Sequence, residues 1–199
     1  MAWQELHEFW FGDLKDGKAD DVHRKNWFAT SGDFDGLCSN LAKTLLDEVD
    51  GLADWTSDPQ GWVSLIILCD QMPRNIYRGS ADAFAWDHIA LEYAKRGIHA
   101  GVDRTLGLDE RAFFYMPFEH SEDLIDQYTC VGLFSALHGE VPADDQPLVA
   151  GSLRFAEHHL EIIQRYGRFP HRNRFFNRES TAAEIEYLKV SDGFGQGSW

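Results

Sequence analysis

Apolar residues recur along this chain at steps of three and four, the spacing that stacks side chains on one face of a helix. Phe34, Leu37, Cys38, Leu41, Leu45 and Val49 form one such stripe, and Gly51 stands where a C-terminal cap is expected. Asp58-Pro59 pairs an N-cap residue with proline at the first helical position. The helix it opens carries Trp62, Leu65, Ile66 and Cys69, with Val63 and Ile67 widening the stripe. Apolar nearly all round, it is predicted to be the central buried helix. Met72-Pro73 is expected to end it, because the residue before proline is pushed away from helical geometry.

The following helix is predicted from about Ala81 to Arg96, with Trp86, Ile89, Ala90, Tyr93 and Ala94 on one face and Gly97 as its stop. Ser121 is the expected N-cap of the next, with Glu122 and Asp123 near its positive end and Leu124, Tyr128, Val131 and Phe134 leading towards Gly139. A longer helix runs from Gln146 to Tyr166 and ends at Gly167. Thr181-Ala182-Ala183-Glu184 is a capping box, worth on the order of 1 kcal/mol, that opens a short helix through Leu188.

No strand-like alternation of useful length occurs, and no Asn-Gly or Asp-Gly turn joins two β-rich runs. Short connections predict that consecutive helices pack as antiparallel pairs. The expected fold class is all-α, one domain over residues 1–190, followed by a loosely held glycine-rich tail over 191–199.

Charge narrows the function classes. Thirty-three acidic against 18 basic residues leave a net charge of −15, which opposes both nucleic acid and anionic membranes as partners. The opening Met1-Ala2-Trp3-Gln4-Glu5-Leu6 has no basic start and no apolar run, so no signal peptide is expected. The stretch Trp62–Cys69 is far shorter than the roughly 20 residues of a spanning helix. Cys38, Cys69 and Cys130 are odd in number and lie in apolar helical patterns, the setting of free buried thiols. Together these features predict a cytoplasmic protein.

The charge is unevenly spread. Residues 151–178 hold six arginines (Arg154, Arg165, Arg168, Arg172, Arg174 and Arg178) against Glu157 and Glu161, a surplus of four positive charges in an acidic chain. Such an insert is expected to face either an anionic ligand or the protein's own carboxylates, both of which suit the planar guanidinium fork.

Three polar clusters adjoin apolar helices: Asp70-Gln71-Met72-Pro73-Arg74-Asn75-Ile76-Tyr77-Arg78-Gly79, Met116-Pro117-Phe118-Glu119-His120-Ser121-Glu122, and Gly167-Arg168-Phe169-Pro170-His171-Arg172-Asn173. With Arg178-Glu179-Ser180-Thr181, Phe9-Trp10-Phe11 and Trp27-Phe28, they resemble the signature of a bacterial family catalogued as domain of unknown function nine-two-four. The resemblance covers nearly the whole chain. It implies a tetratricopeptide-like right-handed stack of helix pairs and supplies no activity. Where the family usually reads Leu-Gly-Arg before Ser-Thr, this chain has Phe176-Asn177-Arg178. Asparagine is the next best residue after glycine for a left-handed turn, so the turn is expected to survive.

The clusters define a candidate ligand site of Asp70, Gln71, Arg74, Asn75, Glu119, His120, Glu122, His159, Arg168, His171, Arg172 and Asn173. His159 keeps helical step with Phe155, Ile162 and Tyr166 and is expected to point inward. If the site forms, His120, His159 and His171 line one cleft, carboxylates orient an imidazole as in acid–base sites, and Arg74, Arg168 and Arg172 hold an anion. The competing structural reading pairs Asp70, Glu119 and Glu122 directly with Arg74, Arg168 and Arg172.

No G-x-S-x-G elbow, Walker loop or H-E-x-x-H motif occurs, and the paired Glu-x-x-His repeats of di-iron bundles are missing, so no metal and no cofactor is expected. Gly193-Phe194-Gly195-Gln196-Gly197 follows no strand and opens no helix, and reads as tail. Two functions compete: binding of a small anionic ligand, with or without catalysis, and a helical groove for a peptide or partner protein, the latter motivated by 27 aromatic residues.

Overall fold

A computed structural model of the chain describes residues 2–27, 31–191 and 193–195. Among these the structure is all-α. The only extended pairing is an isolated bridge between Lys15 and Lys18. The chain divides into two compact units, Met1–Tyr77 with Asp82–Pro117, and Arg78–Ala81 with Phe118–Trp199.

The first unit contains α1 (Ala2–Phe11), α2 (Asp21–Trp27), α3 (Gly32–Asp47), α4 (Pro59–Ile76), α5 (Asp87–His99) and all but the last two residues of α6 (Leu108–Glu119). As expected, α4 is the central helix. It packs against α1, α3 and α5, and Val63, Leu65, Ile66, Ile67, Leu68, Cys69 and Met72 are fully buried. Asp58 caps it by accepting the Gln60 backbone N–H at 2.9 Å, with Pro59 at the first helical position. The aromatic residues at the start of the chain are core. Trp10, Phe11 and Trp27 meet Phe113 edge to face at 5.4, 5.7 and 4.7 Å, and the Trp27 indole donates to the Trp10 carbonyl at 2.7 Å.

Several local expectations fail for physical reasons. Helix α4 continues past Met72-Pro73 to Ile76, because Arg74 and Asn75 turn their side chains back onto the carbonyls of Asp70 and Gln71. Residues Ala81–Phe84 form a 3-10 turn, so α5 starts only at Asp87. Gly97 does not stop α5. It lies buried inside the helix, where a Cβ would come within 2.4 Å of the Phe114 ring, so glycine serves close packing there. Helix α3 ends at Asp47, and Gly51 closes a separate 3-10 turn. Leu37 is exposed, and Ala42 and Leu46 complete the buried face instead.

The second unit contains α7 (Leu124–Glu140), α8 (Gln146–Tyr166) and α9 (Ala182–Leu188). Helices α7 and α8 pack against each other through a short connection, and the Gln164 amide near the end of α8 donates to the Tyr128 hydroxyl near the start of α7 at 2.9 Å. Gly167 closes α8 in the left-handed conformation (φ 66°), its N–H on the Ile163 carbonyl. The Thr181–Glu184 capping box is present in both directions. Asn177 adopts the left-handed backbone its position calls for (φ 52°). Ile162, Ile163 and Phe169 form a small core joined by Tyr166, Tyr187 and Phe194.

The N-cap of α7 is Asp123, which accepts from the Ile125 and Asp126 N–H groups. Ser121 instead donates its hydroxyl to Asp126 at 2.8 Å. Leu124 and Tyr128 are exposed, while Asp126, Gln127, Cys130, Phe134 and Leu137 face inward. The rotation follows from polar need: the buried Gln127 amide donates to the carbonyls of Phe118, Glu119 and Ser121 and so holds the turn before the helix. The three cysteines are free and buried, and no helix of the described residues is long and apolar enough to cross a membrane.

Candidate functional site

In the first unit, Asp70, Gln71, Arg74 and Asn75 share the last two turns of α4. Residues four apart on a helix are neighbours, and this cluster closes largely on itself. Arg74 lies 3.5 Å from Asp70 and grips Asp87 of α5 with both terminal nitrogens, at 2.9 and 3.0 Å. The Gln71 amide donates to the Asp70 carboxylate and, at 3.5 Å, to the Met116 sulfur. Asp70, Gln71 and Asn75 are buried. Here the guanidinium faces the protein's own carboxylates.

The second unit gathers most of the remaining candidates. Glu119 and His120 come from the end of α6, His159 from α8, and His171, Arg172 and Asn173 from the turn after it. His159 is the centre. Its ring lies 6.3 Å from that of His120, 5.5 Å from Phe169 and 4.5 Å from Phe194, and His171 is 5.5 Å from Phe169 and 5.0 Å from Phe194. The buried Arg172 guanidinium lies over the other aromatic neighbour, 4.6 Å from the Phe169 ring centre.

The His159 Nδ1 donates to the Phe155 carbonyl at 2.8 Å, one turn back, and a Glu119 carboxylate oxygen lies 3.3 Å from the same nitrogen. Burial, with help from His120, Arg172 and His158, overrides that carbonyl and pushes the pKa of His159 down to about 3. The ring is therefore neutral at physiological pH. With Nδ1 carrying the proton, Nε2 presents a lone pair, and no described residue donates to it. A group that resists protonation to about pH 3 is a hydrogen-bond acceptor rather than a general base. Phe155, expected on the same stripe, is exposed; Val149, Ala156, His159, Ile162 and Ile163 form the buried face.

The other arginines divide by partner. Arg168 holds Glu184 in a fork at 2.6 and 2.8 Å, and Glu184 also accepts the Thr181 N–H. The Arg168 hydrogen bonds lead, and with those of Thr181 they outweigh burial to draw the Glu184 carboxyl down to about 2. Glu122 pairs with Arg178, at 2.6 and 3.0 Å, rather than with Arg172, and accepts the Phe169 N–H at 2.8 Å. Burial works against the charge on Glu122, but Arg178, the Phe169 N–H and the field of Arg172 together hold its carboxyl below the usual range. Asn173 is buried in the turn that follows α8. Its carbonyl accepts from Phe176 and Arg178, and its amide donates to Ser180.

The sequence reading missed a third destination for arginine: Arg165, Arg172 and Arg174 lie over the rings of Tyr166, Phe169 and Phe175. It also missed Phe194. Read as tail, this residue sits in a 3-10 turn, Gly193–Gly195, and packs its ring on His159 and His171. An aromatic between two glycines was the only local signal. The remaining tail positions, 192 and 196–199, lie outside the described residues. Among the described residues no group of three or more His, Cys, Asp or Glu side chains is arranged to hold a metal ion.

Comparison with known proteins agrees with the sequence signature. A family model described as bacterial protein of unknown function (DUF924) matches residues 6–192. A solved structure, the protein of unknown function ATU0120 from Agrobacterium tumefaciens, is 31% identical and superposes with a TM-score of 0.79, covering 95% of this chain and 97% of that one. No curated protein matches. The chain thus belongs to the DUF924 family of bacterial proteins.

Proposed function

We propose that the protein binds a small anionic molecule carrying an O–H or N–H donor, through the histidine cluster of its second unit. Arg172 supplies the positive charge, and the neutral Nε2 of His159 accepts the ligand's donor. One observation carries this reading: segments remote in sequence set the rings of His159 and His171 against Phe169 and Phe194, with His120 beside His159, and His159 keeps a buried, neutral ring whose second nitrogen no described residue engages. Aromatic walls with a few convergent polar groups are the usual make-up of a small-ligand site. The low basicity of His159 favours binding over acid–base chemistry at that residue.

Malate and succinate, which differ by one hydroxyl, test the idea by titration calorimetry. Malate is expected to bind saturably and more tightly than succinate. Arg172→Ala should abolish binding of both, while His159→Phe, which cannot accept a hydrogen bond, should remove malate's advantage. Absence of saturable binding by either acid at millimolar concentration, or binding that survives Arg172→Ala, overturns the proposal.

A further inference from the structure

A separate pocket opens where the end of α8 meets the start of α9. Its volume is about 480 Å³, within the range of small-molecule clefts, and it is lined by Arg165, Tyr166, Arg168, Thr181, Ala183 and Glu184. Two guanidiniums face one carboxylate, so the lining is positive in a protein whose net charge is −15.

Its hydrogen-bonding capacity is one-sided. The Glu184 carboxylate is occupied by Arg168 Nε and Nη2 and by the Thr181 N–H. The donors are not. Arg165 forms no ion pair among the described residues and touches only the Tyr166 ring, 5.1 Å from its centre. Arg168 uses Nε and Nη2 but not Nη1. Thr181 Oγ1 accepts from the Glu184 N–H at 3.2 Å and keeps its own proton to donate. The Tyr166 hydroxyl oxygen is itself buried, so it is the ring of this residue that faces the pocket.

We infer that this pocket binds the phosphate group of a small phosphate ester. Two guanidiniums and the Thr181 hydroxyl supply donors from several directions, which suits a tetrahedral anion with three acceptor oxygens better than a planar carboxylate. The volume leaves room for the esterified remainder beside Ala183 and the Tyr166 ring. This site shares no residue with the histidine cluster, so either can fail alone.

The test is calorimetric titration of the full chain with glycerol 3-phosphate, with inorganic phosphate and sulfate as comparisons. Glycerol 3-phosphate is expected to bind more tightly than either inorganic anion. Arg165→Ala removes an exposed side chain with no ion pair, so it should leave the melting temperature in place and weaken binding at least about tenfold. Tyr166→Phe, which deletes only the buried oxygen, and Arg172→Ala should both leave it unchanged. Equal affinity in wild type and Arg165→Ala, equal affinity for sulfate and the ester, or no binding at all overturns the inference.

Discussion

The polar cluster at the end of α4 and the histidine cluster of the second unit draw on the same residue types, yet they are built differently. Asp70, Gln71, Arg74 and Asn75 ride on one helix, where residues four apart meet automatically, and their polar groups engage one another, nearby carbonyls, Met116 and Asp87. His120, His159, His171 and Arg172 come from a helix end, a helix middle and a turn, so nothing in local geometry makes them partners. The rings of His159 and His171 and the Arg172 guanidinium lie against Phe169 or Phe194, and His120 lies beside His159. A helix-borne cluster saturates itself and becomes glue. A turn-borne cluster keeps chemical capacity, here the Nε2 lone pair of His159.

The largest effect expected from this contrast is at Arg74. Arg74→Ala would remove the cation that Asp70 and Asp87 share, and breaking a buried pair in this way costs about 3–5 kcal/mol. Arg74→Lys should recover only part of the loss, since an ammonium cannot reproduce the fork. Urea denaturation of both variants measures it. If Arg74→Ala costs no more than Arg172→Ala, the division into glue and site collapses.

Next in size is a pH effect at His159. Above pH 6.5 the ring is neutral in the folded and unfolded chain alike. Below 6.5 the unfolded chain takes up a proton that the folded chain refuses until about pH 3, so stability is lost as pH falls through that window. At pH 4.5 the loss from this one group is roughly 2–3 kcal/mol. Glu119, His120, His158 and Arg172 are the charged and titratable neighbours and remain in place in His159→Gln. That variant should show a shallower fall in denaturation free energy between pH 6.5 and 4.5. An unchanged slope would mean the ring is not held neutral.

Arg172→Ala comes third. Its guanidinium lies on the Phe169 ring, a contact worth up to about 2 kcal/mol, and truncation should abolish malate binding while costing less stability than Arg74→Ala. A larger loss of stability would move Arg172 to the structural class with Arg74.

What the sequence made legible follows the same division between local and remote. Asp58-Pro59, Gly167, the Thr181–Glu184 box and the left-handed Asn177 were all readable because each acts within a few residues of itself. Ser121 was misread as a cap because α7 starts two residues later, where Asp123 accepts the Ile125 and Asp126 N–H groups. Gly97 was read as a stop because the Phe114 ring that requires it lies outside its local sequence. Tyr128 was counted in the apolar run of α7 yet is exposed, because Gln127, which turns α7, contributes nothing to an apolar stripe. The histidines come together as one cluster, while Glu122 found Arg178 and Arg168 found Glu184, choices fixed by folding over 56 and 16 residues of separation. The tail aromatic Phe194 could be placed only by the folded structure.

The smallest effect tests whether turns support the second cluster as a helix supports the first. The left-handed backbone of Asn177 (φ 52°) lets the chain reverse, so that the Arg178 N–H reaches the Asn173 carbonyl at 2.9 Å and its guanidinium reaches Glu122 and the Phe169 carbonyl. Asn177 is itself exposed, so its substitution removes no core contact. Alanine disfavours this backbone by about 1 kcal/mol, whereas glycine accepts it and should change stability by less than about 0.5 kcal/mol. If the turn positions His171 and Arg172, Asn177→Ala should weaken malate binding beyond its effect on the melting temperature, and Asn177→Gly should restore it. Identical binding in both variants would show that Phe169 and Phe194 alone hold the cluster in place.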